Sequence, residues 1–182
     1  MSPILGIWAS SKAVAAADTG AMFPLQVITV GATAVSSVTF SNIPSTYSHL
    51  QIRGIARMSS NAAFKVTFNG STGTYRNHYL EGTGATAIAG TDTLSHIELY
   101  PGISTANIFT GLVWDILDYA NTNKNKVIRA FSGYDANGTG YIDLDSGLWV
   151  NTAAITSITV ACTASATFQQ YTQFALYGVK SA

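Results

Sequence analysis

Charge is what this chain has least of. Asp, Glu, Lys and Arg make up 10% of its 182 residues, against about a quarter in ordinary soluble domains. The nine basic and nine acidic side chains cancel, which argues against nucleic acid as a partner, because phosphate neutralisation needs a basic patch. Near-zero net charge also favours association over dispersal. The densest basic group, Lys124, Lys126 and Arg129, lies in a run that reads as a turn. Cysteine is almost missing as well. Cys162 stands alone, so an intrachain disulfide and a cysteine metal cluster are both ruled out. Its apolar run, Ile158–Cys162, marks it as a small buried hydrophobe.

Long hydrophobic runs are lacking too. None approaches the roughly 18 residues of a membrane-spanning helix. The first twenty residues, MSPILGIWASSKAVAAADTG, have no basic leading region, Lys12 follows their short apolar stretch, and Pro3 and Gly6 interrupt it. That is not the pattern of a secretory signal. Convincing amphipathic helices and heptads are likewise not found.

What the chain does have is alternation. Val27 and Val30, then Val35, Val38 and Phe40, sit among Ser and Thr as strand residues do. Residues 49–57 (HLQIRGIAR) set Leu50, Ile52, Gly54 and Ala56 against Gln51 and Arg53, with Ile55 breaking the pattern. Further strands are predicted over 63–68, 96–100, 110–117, 127–134, 141–148, 155–162 and 168–179. Turn signals separate them: Asn69-Gly70, Asn137-Gly138, Asn42-Ile43-Pro44, Pro101-Gly102 and the Asn-rich run 121–125. About ten strands without helices predict an all-β fold, an antiparallel two-sheet sandwich of jelly-roll type, over residues 26–182.

Residues 1–25 form a separate segment, too short for a core of its own. One reading is a first strand followed by a loop. The other is an arm whose Ile4, Leu5, Ile7 and Trp8 dock on a neighbouring subunit.

Several patterns could carry chemistry. Residues 135–143 (DANGTGYID) place oxygen ligands and a glycine as the first nine positions of a calcium loop do, yet the twelfth position is Ser146 rather than Glu. The flanks read as strands, so a polar hairpin is expected there. Asp115 with Asp118, and Asp143 with Asp145, are close carboxylate pairs, expected to be solvated or turn-capping rather than set across a cleft. His49, His78 and His96 have no metal-ligand spacing. No G-x-S-x-G elbow is present, and Gly82-Thr83-Gly84 lacks the Lys-Ser/Thr pair of a phosphate loop. Asn69-Gly70-Ser71 and Asn137-Gly138-Thr139 are glycosylation sequons in form only. Trp114, Trp149, Tyr75, Tyr79, Tyr119, Tyr134, Tyr141 and Tyr171 are expected mainly to fill the core, with a sugar-stacking platform as the other use. No catalytic residue, metal or cofactor is expected.

The segment 36–57, SSVTFSNIPSTYSHLQIRGIAR, resembles a pattern in tailed-bacteriophage virion proteins: a strand, the corner I-P-x-T-Y, then a strand beginning H-L-Q-I-R. FNGSTGTYRNH at 68–78, LDYANTNKNKVIRAFSGYDANGTGYI at 117–142, GLWVNTAAITSITV at 147–160 and FALYGVK at 174–180 continue it in order. The resemblance implies a virion structural β-sandwich and brings no catalytic residues. It implies a capsid decoration (cement) protein on the head surface, with the major capsid protein and further copies of itself, as a trimer, for partners. A tail fibre or receptor-binding module recognising host carbohydrate is the alternative. Neither nucleic acid nor a membrane is an expected partner.

Overall fold

The period-two segments become strands. In the computed structural model, which describes residues 21–180, the chain runs through β1 (Met22–Thr29), β2 (Ser37–Phe40), β3 (His49–Ala56), β4 (Phe64–Phe68), β5 (Tyr75–Gly82) and β6 (Ala87–Leu94). It continues through β7 (Ile97–Leu99), β8 (Thr110–Leu117), β9 (Lys126–Asp135), β10 (Gly140–Trp149), β11 (Ile158–Cys162) and β12 (Gln173–Val179). No helix occurs among the described residues. All pairings are antiparallel.

Two sheets result. The large one has eight strands in the order β1-β12-β3-β8-β9-β10-β5-β6, and the small one has four in the order β2-β11-β4-β7. Every small-sheet strand is entered from the large sheet and left for it. This is the expected all-β, two-sheet antiparallel sandwich. The jelly-roll detail is narrower: the two sheets are unequal, with a three-strand meander β8-β9-β10 inside the large one and the β1-β12 pair at its edge.

The core lies where the small sheet covers the large one. Strand β4 alternates buried with half-buried residues, and Phe64, Val66 and Phe68 point inward. Phe64 meets Trp114 of β8 edge-on at 5.3 Å and Phe174 of β12 at 6.4 Å. Phe68 meets Trp149 of β10 at 5.7 Å, and Trp149 stacks on Tyr75 of β5. Such ring contacts add to the area these residues bury. Trp114 Nε1 donates to Ser132 Oγ at 3.0 Å, satisfying its one polar atom inside the sheet. Trp114, Trp149, Tyr75 and Tyr119 thus fill the core as expected.

The boundaries differ from the expectation at several points. Strand β1 begins at Met22, so residues 22–25, assigned by sequence to the arm, belong to the sheet. A register shift between Pro24 and Gln26 hides the alternation there, and an edge position tolerates the proline. Lys180 N donates to Ala21 O beside this pair. Strands β5 and β6 were not expected, because their side chains hardly alternate in polarity. Strand β11 starts at Ile158 rather than Ile155, whose amide instead donates to Tyr119 O. Phe168 lies ahead of β12 and makes isolated bridges to Val35 and Met58. The corner at Pro44 is held by Tyr119, whose hydroxyl donates to Pro44 O.

Candidate functional site

Ile4, Leu5, Ile7 and Trp8, the arm residues singled out from the sequence, lie outside the described residues. The surface that stands out among the described residues is the outer face of the large sheet.

Directly paired residues in a sheet point to one face, so the registers give the outer face row by row. One row runs Arg53, Val113, Phe131, Leu144, Leu80, Ala89 across β3, β8, β9, β10, β5 and β6. The next runs Ile55, Gly111, Gly133, Ile142, Gly82, Ala87 across the same strands. On the other side of the first row come Gln51, Asp115, Arg129, Ser146, His78 and Thr91. Two apolar rows are therefore bordered by a polar one.

The apolar rows are open to solvent. Phe131 is 48% exposed, Leu144 52%, Leu80 51%, Ile142 52% and Ile55 48%. The glycines of the second row leave a depression of about 560 Å³ lined by Gly111, Val113, Phe131, Gly133, Tyr134 and Ile142, among others. Gly133 permits the close approach of β10 at this point: a Cβ there would stand 2.8 Å from Tyr141 O. At the rim Tyr134 and Tyr141 lie in contact, ring centroids 5.8 Å apart. In the polar row Gln51 Nε2 donates to Asp115 Oδ1 at 2.7 Å, and Arg53 Nε donates to Gln51 Oε1 at 2.6 Å. The charges on this face are thus partly tied to one another, leaving the adjoining rows apolar.

Sequence reasoning missed this face, although a signal was present. Strand β8 reads TGLVWDIL, with Val113 and Leu117 on the side opposite to Leu112, Trp114 and Ile116. A strand apolar on both sides needs a second cover, and no described element supplies one here.

Other sequence expectations are resolved one by one. Residues 135–146 form the β9–β10 hairpin, with Asn137 and Gly138 both at positive φ (60° and 102°). Ala136 N donates to Thr139 O, closing the tight primed turn that favours Asn-Gly. Asp118 sits in a turn, where Lys124 Nζ donates to it at 2.6 Å and holds its carboxyl below the ordinary range. His49 Nδ1 accepts from Asp118 N, which makes it the hydrogen-bonded strand-start imidazole expected. His96 Nε2 lies 3.3 Å from Glu98 Oε2.

Three expectations fail. Asp143 and Asp145 are not solvated: they face inward from β10, 1% and 6% exposed. Burial, with Glu81 beside it, pushes the Asp143 carboxyl up to about 7; burial, Asp143, Glu81 and Glu98 push Asp145 up to about 8. Lys126, read as part of a basic turn, is fully buried. Its ammonium donates to the main-chain oxygens of Asn121, Lys124 and Thr152, which saturates its three protons and lets a cation sit inside. Burial lowers its pKa. Cys162 is half-buried rather than buried, and burial raises its thiol to about 12.

Among the described residues no group of three histidine, cysteine or acidic side chains is placed to hold a metal ion. No helix among them is long and apolar enough to cross a membrane. No family model matches the chain, no curated protein matches it, and no solved structure matches it.

Proposed function

We propose that this chain is a non-enzymatic structural protein of a tailed-bacteriophage virion, a capsid decoration protein that sits on the head surface and bridges major capsid subunits. The observation that carries the reading is the outer face of the large sheet, with its two solvent-open apolar rows at Phe131–Leu144–Leu80 and Ile55–Ile142. Exposed apolar patches of this kind serve association, and a scarcity of charge around them keeps the desolvation cost of docking low. The resemblance of residues 36–57 and the stretches after them to virion proteins supplies the setting.

In this reading the chain acts as a trimer. Ile4, Leu5, Ile7 and Trp8 anchor it to the shell or to a partner subunit. Binding the assembled shell and not its separated parts stabilises the head by mass action. Cryo-EM of the particle tests it: density for this fold spread over the whole head supports decoration, whereas density confined to the tail overturns it. Removal of residues 1–20 tests the anchor, which is wrong if the shortened chain binds heads unchanged.

One observation favours a second reading. Phe131, Tyr134 and Tyr141 border the depression on the outer face, and aromatic rims stack sugar rings. A tail fibre or spike recognising host carbohydrate would use them, and binding of host polysaccharide by the isolated chain would support it.

A further inference from the structure

A second feature lies on the opposite face of the same strands. Asp143 is paired directly with Glu81 across β10 and β5, and Asp145 lies two residues along on the same inward side. Like charges directly opposite one another destabilise a strand pair, and burial makes each isolated charge costlier. Strand β7 packs over this part of β10 and β5 and adds Glu98.

The surrounding groups do not neutralise this seam. From β5 come Glu81 and Tyr79, from β7 Glu98 with His96 just before that strand and Tyr100 just after it, from β6 Asp92, from β9 Tyr134 and from β10 itself Tyr141. His96 Nε2 and the Tyr100 hydroxyl both engage the Glu98 carboxylate, and Lys65 stands directly opposite Glu98 across β4 and β7, so the basic groups here serve Glu98. No lysine or arginine bears on Asp143 or Asp145. Both oxygens of Asp143, Oδ2 of Asp145, Oδ1 of Asn77 and Nδ1 of His96 are buried without a hydrogen-bond partner, and the Leu144 amide offsets only part of the upward push on Asp143. A cavity of about 220 Å³ bordered by Glu81, Tyr100, Tyr134 and Tyr141 leads to the seam from outside.

The charge that such a place can take up is the proton, since its side chains are not arranged about a common metal position. We propose that the seam between β10–β5 and β7 is a proton-operated latch: Asp143 and Asp145 hold protons while it is shut, and the loss of those protons frees the β5–β6 hairpin from β7. The direction follows from linkage. An unfolded aspartate ionises near pH 4, whereas these two keep their protons until about 7 and 8 in the fold. The stability they contribute is complete below about pH 4, declines as pH rises through that window, and is gone above about pH 8.

The hairpin is the element released because little covers it. Strand β6 is the outermost strand of the large sheet, and its inward Ile88 is 45% exposed. The latch is independent of the virion reading and is tested on the isolated full chain, so one can fail without the other.

Amide hydrogen exchange between about pH 6 and pH 9, corrected for intrinsic rates, is the experiment. Protection over Asn77–Glu81 and Ile97–Leu99 is expected to fall about tenfold in the wild type, as local opening does, and to stay flat in the Asp143→Asn/Asp145→Asn variant. Equal behaviour of the two proteins overturns the latch. So does recovery of protection at pH 9 on adding calcium, which would make the seam a cation site. If the double variant does not fold, carboxyl-carbon NMR of the wild type decides: two aspartates titrating above about pH 6 support the latch, and none above about pH 5 overturns it.

Discussion

The ammonium of Lys126 and the main-chain oxygen of Thr152 are joined by a 2.9 Å hydrogen bond in the interior of the protein. Through it the turn before β9 is tied to the loop after β10, and two further carbonyls of that turn complete the shell. Replacing Lys126 by Met keeps the volume and removes all three donors. Buried carbonyls without partners are costly, so Lys126→Met is expected to lower stability by about 3 kcal/mol in urea titrations. Lys126→Arg is not expected to restore it, because a planar fork does not fit a site shaped for a compact ammonium. Unchanged stability in Lys126→Met would show that the shell contributes nothing.

Phe64 joins the sheets through Trp114 and Phe174. Phe64→Ala leaves a cavity between them and is expected to cost about 3–5 kcal/mol. For a domain of this size that corresponds to a melting point lower by roughly 10 °C. Calorimetry reads it directly, and a shift of a degree or two would mean that the sheets do not depend on this ring.

The outer face offers a contrast. Phe131→Thr and Leu144→Thr together keep strand propensity and remove the exposed apolar bulk, so the melting point should move little. Association should move a great deal. Sedimentation of the wild type is expected to show oligomers and that of the double variant monomers, with loss of binding to heads. If both sediment alike and bind heads alike, this face is not the docking surface.

Cys162 is expected to be sluggish toward alkylation. Its thiol is held up near 12, and the thiolate is the reactive form. Modification by iodoacetamide at about pH 8 should be roughly 100-fold slower in the folded chain than in urea. Comparable rates would contradict the burial seen around β11.

Residues 135–146 should ignore calcium. The melting point is expected to be the same in EDTA and in excess calcium, since this stretch is a tight hairpin. Gly138→Ala, by contrast, should cost about 1 kcal/mol or more, because φ at 138 is 102°. A rise in stability with calcium would revive the ion-binding reading.

The sandwich was legible in the sequence wherever one side of a strand is apolar and the other polar, as in β3 and β4. It was not legible in β5 and β6. In β5 the polar Glu81 faces inward and the apolar Leu80 faces out, while β6 is an edge strand largely exposed on both sides, so YRNHYLEG and AIAGTDTL carry no two-fold pattern. Strand β1 was hidden by Pro24 and a shifted register. The seam was invisible for another reason. Carboxylates at positions 143 and 145 look like a solvent-facing pair, and only the register opposite Glu81 and the cover from β7 reveal that they face inward. The same holds for Lys126, whose surroundings come from residues up to 26 positions away.

The pairing of β1 with β12 has a practical meaning. Met22 lies opposite Val179, and Lys180 reaches back to Ala21, so both ends of the described fold leave from one corner of the large sheet. Joining them with a short linker and cutting the chain at the 83–86 turn should give a circular permutant with the same sandwich. A cargo fused at either end of the described fold would emerge at that corner, with β3 between it and β8 and at the opposite end of the strands from Gly111, leaving the glycine-floored depression unobstructed.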